Sequence, residues 1–496
     1  MARIWGVVGA VALCALATTA SAQPRPAVPA QNLAAVDMAF AAEAAAHPVG
    51  GLTVGVVDHG RLVWTKSYGF ADMERKLPAD RRTVYRIGSI TKQFTGVALL
   101  QLAAAGKVKL DDPASKYLPE LATVGGFSAQ GPSITLLSLA THQAGLAREP
   151  NDLKYLQGPI SDWQNSLRGA LTHTRLQFKP NDVAVYSNIG YGALGLALEN
   201  AAGVPYTELV EQRIAKPLGM TSTSFRPDAD MLRRLAKGYV AIGAGPPTSK
   251  VADGELAEGR GYKIPNGGLF TTVDDLGRFL AFEMGYGPPS VLPHEVLAAN
   301  FARSFPLQGG GRYGIGFTIS DFGSKTLIGH GGSVAGFTAG AYFDPQAKIG
   351  IVCLRNSQLG CEGTFLQEAF AALVPAWKDQ ARQARAEDAA RAAHVKAQTP
   401  LPNSEAVLRR LIEALQSGRP DDSHMSEGFA AFFRERAPSA QARLASLGAL
   451  QSLAFRGVGP GGADIYLATF SGGKLECRLA LGPGDIVQGL SFGPAR

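Results

Sequence analysis

Tyr85-Arg86-Ile87-Gly88-Ser89-Ile90-Thr91-Lys92-Gln93-Phe94-Thr95-Gly96 is the stretch on which the reading of the chain turns. It predicts the end of an extended segment, a Gly-Ser entry, and a helix carrying Val97, Ala98, Leu99, Leu100 and Leu102 that runs to Ala105 and ends at Gly106. A serine in the first turn of a helix has its hydroxyl beside unpaired backbone N–H groups, in a positive local field. Lys92, three residues on, falls on the same face one turn up. An amine held there can take the hydroxyl proton and turn a poor nucleophile into a good one. By itself S-x-x-K also describes a helix cap followed by a solvated lysine. Ser471-Gly472-Gly473-Lys474 matches the same pattern and reads as a plain hairpin turn. Ser89 therefore takes its meaning from the rest of the chain.

The chain has 496 residues, too many for one ordinary core, so two or three domains are expected. With 46% hydrophobic and 18% charged residues it is globular, neither disordered nor a multispan membrane protein. Its net charge of +7 is not gathered into Lys/Arg runs, which argues for solubility and against a nucleic-acid partner. Arg3, the apolar run Ile4 to Ala17, and Ala20-Ser21-Ala22 before Gln23 read as a signal peptide cleaved near Ala22. The run is short for a bilayer span and Cys14 lies inside it, so no stable membrane anchor is expected. The expected location is periplasmic or secreted. Cys353, Cys361 and Cys477 then remain. Three cysteines make no disulfide framework and no C-x-x-C metal pair, and pairing of Cys353 with Cys361 stays open. Cys477 alternates with Leu475, Leu479 and Leu481 as a buried strand residue.

After a Pro-rich leader at 23–31, the Ala-rich segment Asn32 to Ala46 predicts a helix stopped by Pro48-Val49-Gly50-Gly51. Leu52 to Val57 and Arg61 to Tyr68 read as a hairpin around Asp58-His59-Gly60. From about 107 to 310 the pattern is helical pieces between long loops: Ile134 to Ala140, with Gly145 placed to cap it, then Val183 to Glu199 and Asp274 to Phe282. Strands return at Gly316–Ser320, Lys325–Ile328, Phe337–Phe343 and Ile349–Leu354, before a helix over Glu362 to Val374. The fold class is α+β, an α/β sandwich: one antiparallel sheet built from both ends of a catalytic domain over 32–375, flanked by helices, with an inserted mainly helical region. A polar helical linker follows over 376–402. Asn403 is placed to cap a helix with the stripe Val407, Leu408, Leu411, Ile412 and Leu415. Four strands with Gly-rich turns complete a small α+β domain over 403–496, faintly NTF2-like, expected to cover or orient the cleft or to form a dimer contact. Its oligomeric state is not legible.

Two motifs stand behind Ser89. Tyr186-Ser187-Asn188 is the only Y-x-N in the chain and heads a helix after Phe178-Lys179-Pro180. A phenol there can share a proton with Lys92, and an amide can hold a substrate carbonyl. Read blandly, Asn188 is a cap and Tyr186 is core. His330-Gly331-Gly332-Ser333 heads a strand where glycines admit a ligand close to the backbone, or simply make a turn. In this order the motifs resemble the serine beta-lactamase and penicillin-binding-protein-like superfamily, nearest its class C beta-lactamase, esterase and D-aminopeptidase branch. Thr135 to Leu146, Lys216 to Met220, Gly267 to Thr272 and Tyr313 to Phe317 carry the same resemblance, which covers about 32–375.

The resemblance implies that Ser89 is the acylated nucleophile, that Lys92 helps deprotonate it, and that Tyr186 is the general-base partner that later activates water. Asn188 would orient the substrate, while Gly332 lies between His330, in the place of a K-T-G lysine, and Ser333. The backbone N–H groups of Ser89 and Ser333 would form the oxyanion hole. No metal or cofactor is implied. The partner would be a small molecule or peptide with a carbonyl: an ester, an amide, a beta-lactam or a peptidoglycan stem peptide. Two residues depart from the pattern. Asn181 replaces a glycine after Pro180, a minor change because Asn tolerates a left-handed backbone. His330 replaces a permanent cation, which favours esters, or peptides without a carboxylate contact, over efficient beta-lactam hydrolysis. No G-x-S-x-G and no H-E-x-x-H occurs, and Gly309 to Gly314 fits G-x-G-x-x-G without opening a helix. The expectation is an exported serine hydrolase working through an acyl-enzyme. The alternative is a binding or sensor protein on a catalytically retired scaffold.

Overall fold

His59 and Gly60 both have positive φ, 45° and 82°, the two-residue turn that matches the twist of a hairpin. They join β1 (Gly51–Asp58) to β2 (Arg61–Asp72). β1 then pairs antiparallel with β9 (Ile349–Arg355), with Leu52 opposite Arg355 and Asp58 opposite Ile349. The two ends of the catalytic region thus close one sheet. The computed structural model describes residues 28–128, 130–242, 248–251, 259–308, 311–419, 421–459 and 461–495. The expected signal peptide at 1–22 and most of the leader lie outside the described residues.

The other strands are β3 (Leu77–Pro78), β4 (Phe305–Pro306), β5 (Arg312–Tyr313), β6 (Thr318–Phe322), β7 (Lys325–Val334) and β8 (Phe337–Asp344). The nine run in the order β3-β2-β1-β9-β8-β7-β6-β5-β4. β8 and β9 are buried at every position, because helices cover both faces of the sheet. Over one face lie α1 (Ala30–Ala46) and, after β9, the helix Thr364–Leu373, which together bury Phe40, Val54, Ile351, Phe370 and Trp377. Over the other lies the helical region, with α2 (Thr91–Ala104), α3 (Asn188–Ala202) and α4 (Val273–Ala281). The helix Thr364–Leu373 is α5.

Two links tie the first face down. Arg355, only 1% exposed, forms an ion pair with Glu43 of α1 at 2.9 Å. Cys353 on β9 is disulfide-bonded to Cys361, so the loop after β9 is tethered to the sheet. Cys477 is free and buried.

Local details depart from the sequence expectations. Gly145 does not cap the helix Leu136–Ala140, whose C-cap is Thr141. Its φ of +75° serves a turn packed on the Phe178 carbonyl, where a Cβ would overlap that oxygen. Ser187, not Asn188, caps α3, accepting from the Gly190 N–H at 3.0 Å. β7 runs six residues beyond the anticipated Ile328, to Val334, because β8 continues to pair with it.

Beyond the catalytic region, α6 (Lys378–Ala397) is held at both ends. Toward α5, Arg385 meets Glu368 at 2.9 Å and Asp388 accepts from Thr364. Toward the small domain, His394 meets Asp464 at 2.8 Å. That domain packs α7 (Ser404–Gln416) and α8 (Glu427–Ser446) on a four-stranded antiparallel sheet. Its strands are β10 (Leu450–Val458), β11 (Asp464–Phe470), β12 (Gly473–Leu481) and β13 (Val487–Pro494). Asn403 stands at the N-cap of α7 but its side chain donates to Asp485 instead. α8 was not anticipated. Pro438 interrupts its pattern, although Ala430, Phe433, Ala437 and Leu444 are buried at helical spacing.

Candidate active site

Ser89 lies in a 3-10 turn, Gly88–Ile90, that leads into α2. The turn packs on β7 through two glycines. A Cβ on Gly88 would come within 2.8 Å of the Ser333 nitrogen, and one on Gly332 within 3.3 Å of the Ser89 nitrogen. Only missing side chains let these two backbones approach so closely. β6 pairs with β7 only as far as Gly329, so among the described residues no strand covers the edge of His330–Val334. A cleft of about 630 Å³ opens there, lined by Ser89, Tyr186, Asn188, His330, Gly332 and Ser333 among others. Every described residue lining it lies at or before Glu362. The small domain contributes none, so the expectation that it covers the cleft finds no support in the lining.

Lys92 lies beneath the cleft floor and is completely buried. Its Nζ is 3.0 Å from Ser89 Oγ, 2.8 Å from Asn188 Oδ1 and 3.0 Å from the Asn266 carbonyl oxygen. A neutral amine has two N–H bonds and one lone pair. Two acceptors that cannot donate use the two N–H bonds, which leaves the lone pair for the Ser89 hydroxyl. Burial pushes the Lys92 pKa well below the usual lysine range. Repulsion from Arg148, Arg260 and Lys263 adds to this, and the Glu149 carboxylate opposes it.

The Asn188 amide is fixed from behind. Its Nδ2 donates to Glu149 Oε1 at 2.7 Å, and Glu149 also accepts from the Tyr262 hydroxyl. With the nitrogen committed to Glu149, the oxygen must face Lys92. Asn266 Nδ2 donates to the Asn188 carbonyl at 2.9 Å and closes the network. Glu149→Gln removes the negative charge that holds the Lys92 proton, so the acid limb of kcat/KM against pH should move to lower pH. An unmoved limb would show that Glu149 acts only as packing.

Tyr186 is half-buried, with Lys92 Nζ 4.7 Å and Arg148 Cζ 4.9 Å from its ring centre. Desolvation pushes its phenol pKa up, against the opposing effect of its hydrogen bond with Ser89, so the group stays protonated near neutrality. The His142 ring lies 4.3 Å away, its Nδ1 accepting from the Ser187 N–H at 3.0 Å. His330 is buried and its nitrogens face inward. Nε2 accepts from the Tyr313 hydroxyl at 2.9 Å and Nδ1 donates to the Gly331 carbonyl. Burial, helped by the nearby Lys92, pushes its pKa down to about 3. His330 therefore offers the cleft no cation, whereas the lysine of a K-T-G motif would.

The structure brings all seven sequence-derived candidates together, six on the cleft and Lys92 just under Ser89. Glu149, Asn266, Tyr262 and Tyr313 were not among them. Their roles depend on partners 17 to 174 residues away in the chain, which no local spacing encodes. Among the described residues, no group of three His, Cys, Asp or Glu is arranged to hold a metal ion. No described helix is long and apolar enough to cross a membrane.

The family model for Beta-lactamase matches residues 36–376, more than half the chain. The chain belongs to the Beta-lactamase family. Protein flp of Staphylococcus aureus (strain MRSA252) is 29% identical over 312 residues, 62% of this chain and 59% of flp. The D-alanyl-D-alanine-carboxypeptidase/endopeptidase AmpH of Escherichia coli (strain K12) is 35% identical over 233 residues, 46% of this chain and 56% of AmpH. The chain thus spans under two thirds of the length of these curated relatives. Among solved structures, the octameric penicillin-binding protein homologue from Pyrococcus abyssi has a TM-score of 0.58 at 22% identity, covering 93% of this chain and 89% of its own. The D-alanine carboxypeptidase AmpC from Burkholderia cenocepacia has a TM-score of 0.57 at 23% identity, covering 70% and 99%. These two likenesses agree with the Beta-lactamase fold of the catalytic region, and the first also covers residues beyond that region.

Proposed function

We propose that this member of the Beta-lactamase family is an exported serine hydrolase that cleaves an ester or amide through an acyl-enzyme on Ser89. The carrying observation is the buried Lys92 amine, with Nζ 3.0 Å from Ser89 Oγ and its other two contacts, at 2.8 and 3.0 Å, made to oxygens that can only accept. In the first half-reaction Oγ forms the bond to the substrate carbonyl carbon as its proton passes to Lys92. The bond to the leaving group breaks, and that group takes a proton from the Tyr186 phenol, which Lys92 then replaces. Water next attacks the Ser89 ester along the same proton path, releasing the acid and restoring the hydroxyl. The N–H groups of Ser89 and Ser333 hold the developing oxyanion, and Asn188 orients the acyl part.

The open edge of β7 suits an extended, peptide-like substrate, which can pair with its free N–H and C=O groups. The relative named as a D-alanyl-D-alanine-carboxypeptidase/endopeptidase supports the amide side of this reading. The neutral His330 favours substrates that need no lysine-like contact for a carboxylate, so ester and peptide cleavage should exceed beta-lactam hydrolysis. The test is labelling with a fluorophosphonate probe followed by peptide mapping, with a panel of p-nitrophenyl esters, D-amino-acid amides, D-Ala-D-Ala peptides and a cephalosporin. Label on the peptide containing Ser89, with turnover, is the expected result. Label elsewhere, or a Ser89 acyl-enzyme that forms from the ester or amide substrates and is never released, overturns the reading in favour of another nucleophile or a binding protein.

A further inference from the structure

We propose that Glu362 is a recognition point for a cationic group, a primary ammonium, on the substrate of the Ser89 site; this rests on the acyl-transfer reading above. Glu362 lines the same cleft as Ser89 and is the only acidic side chain among its described lining residues. Its Oε1 accepts from the hydroxyl of Tyr342, a side chain only 7% exposed and so unable to swing away. The carboxylate lies against β7 at Gly331, where any Cβ would overlap Oε1. Gly331 belongs to the open-edge segment His330–Val334, so a substrate extended along that edge passes the carboxylate. The preceding residue, Cys361, is bonded to Cys353 on β9, which holds this part of the wall in place.

The charge is not used by the fold. Glu362 stands just before α5, yet no side chain caps that helix. No described lysine or arginine forms an ion pair with it. Of the two arginines on the cleft, Arg312 is engaged by Asp321 and Ser304, both at 3.0 Å, and Arg148 lies over the Tyr186 ring. One carboxylate oxygen is held by Tyr342, and the second is left for a ligand. Glu362 is itself exposed, so a ligand can reach it, and the Tyr342 hydrogen bond limits the reorganisation needed when it meets a partner.

The experiment compares a p-nitrophenyl aminoacyl ester with its N-acetyl counterpart on wild-type and Glu362→Gln protein. In parallel, the corresponding amides are titrated by calorimetry against Ser89→Ala protein with and without Glu362→Gln. Glutamine keeps an acceptor for Tyr342, and matched melting curves confirm the fold. The wild type should prefer the ammonium ester, and Glu362→Gln should lower the ammonium-to-acetyl ratio about tenfold, with the same loss in the binding arm and a fall in the preference at high salt. Ser89-dependent turnover indifferent to the ammonium, or a ratio unmoved by Glu362→Gln, overturns the recognition point and leaves acyl transfer standing. No turnover of any ester, with the binding preference intact and lost in Glu362→Gln, overturns acyl transfer and leaves the recognition point standing.

Discussion

Lys92→Met should lower kcat/KM for any substrate by about a thousandfold, within the range that a positioned base contributes. Methionine fills nearly the same volume in the same buried space but has no lone pair that can take the Ser89 proton. The wild-type rate should rise with pH as Lys92 loses its proton and then level off, because only the free amine can act. His330, with its pKa near 3, and His142, held by burial well below its usual value, stay neutral through this range and add no limb. Stability should carry the same signature. Lys92 has a pKa well below 10.5 in the fold and near that value in the unfolded chain. Between the two pH values the unfolded chain binds the extra proton, so wild-type stability rises with pH across the interval. Lys92→Met should lack that rise in melting temperatures measured over a pH series. A variant within tenfold of wild type would show that the base is elsewhere.

The sheet and the ordered motifs were legible because they are local. Alternating and apolar runs marked β1, β2, β8 and β9, and the catalytic-region helices showed apolar content between breakers. Ser89 and Lys92 share one helical turn, and Tyr186 and Asn188 flank one cap, so their spacing carried the signal. What was missed depends on tertiary partners. Glu149 sets the Asn188 amide from 39 residues away, and nothing in Arg148-Glu149-Pro150 marks it. The inward turn of His330 depends on Tyr313 on β5, two strands away; the stretch from Tyr313 to Phe317 carried the resemblance, but nothing in it pairs Tyr313 with His330. α8 was hidden by Pro438, a local breaker that packing against the small domain's core overrides.

Gly332→Ala should reduce kcat/KM by about a hundredfold to a thousandfold while the protein still folds. The new methyl group would overlap the Ile87 carbonyl oxygen and stand 3.3 Å from the Ser89 nitrogen. Both obstacles are backbone. The turn that bears them is anchored by the Ile87 N–H donating to the Leu269 carbonyl at 3.2 Å, so it cannot give way as a side chain would. β7 must therefore move, and beyond Gly329 its unpaired edge lets it do so at about 1–3 kcal/mol of overpacking. That movement draws the Ser333 N–H away from the Ser89 N–H, and two donors must converge on one oxyanion to stabilise it. The loss should fall on kcat, because the alignment matters most when charge develops on the carbonyl oxygen. Gly331→Ala is the informative neighbour. Its methyl group meets the end of the Glu362 side chain, which can turn aside only by giving up its Tyr342 hydrogen bond, so neutral substrates should lose far less while the ammonium preference falls. Equal losses from the two substitutions would mean that β7 responds to bulk alone, and that the contact of Gly332 with the Ser89 turn does not set the oxyanion geometry.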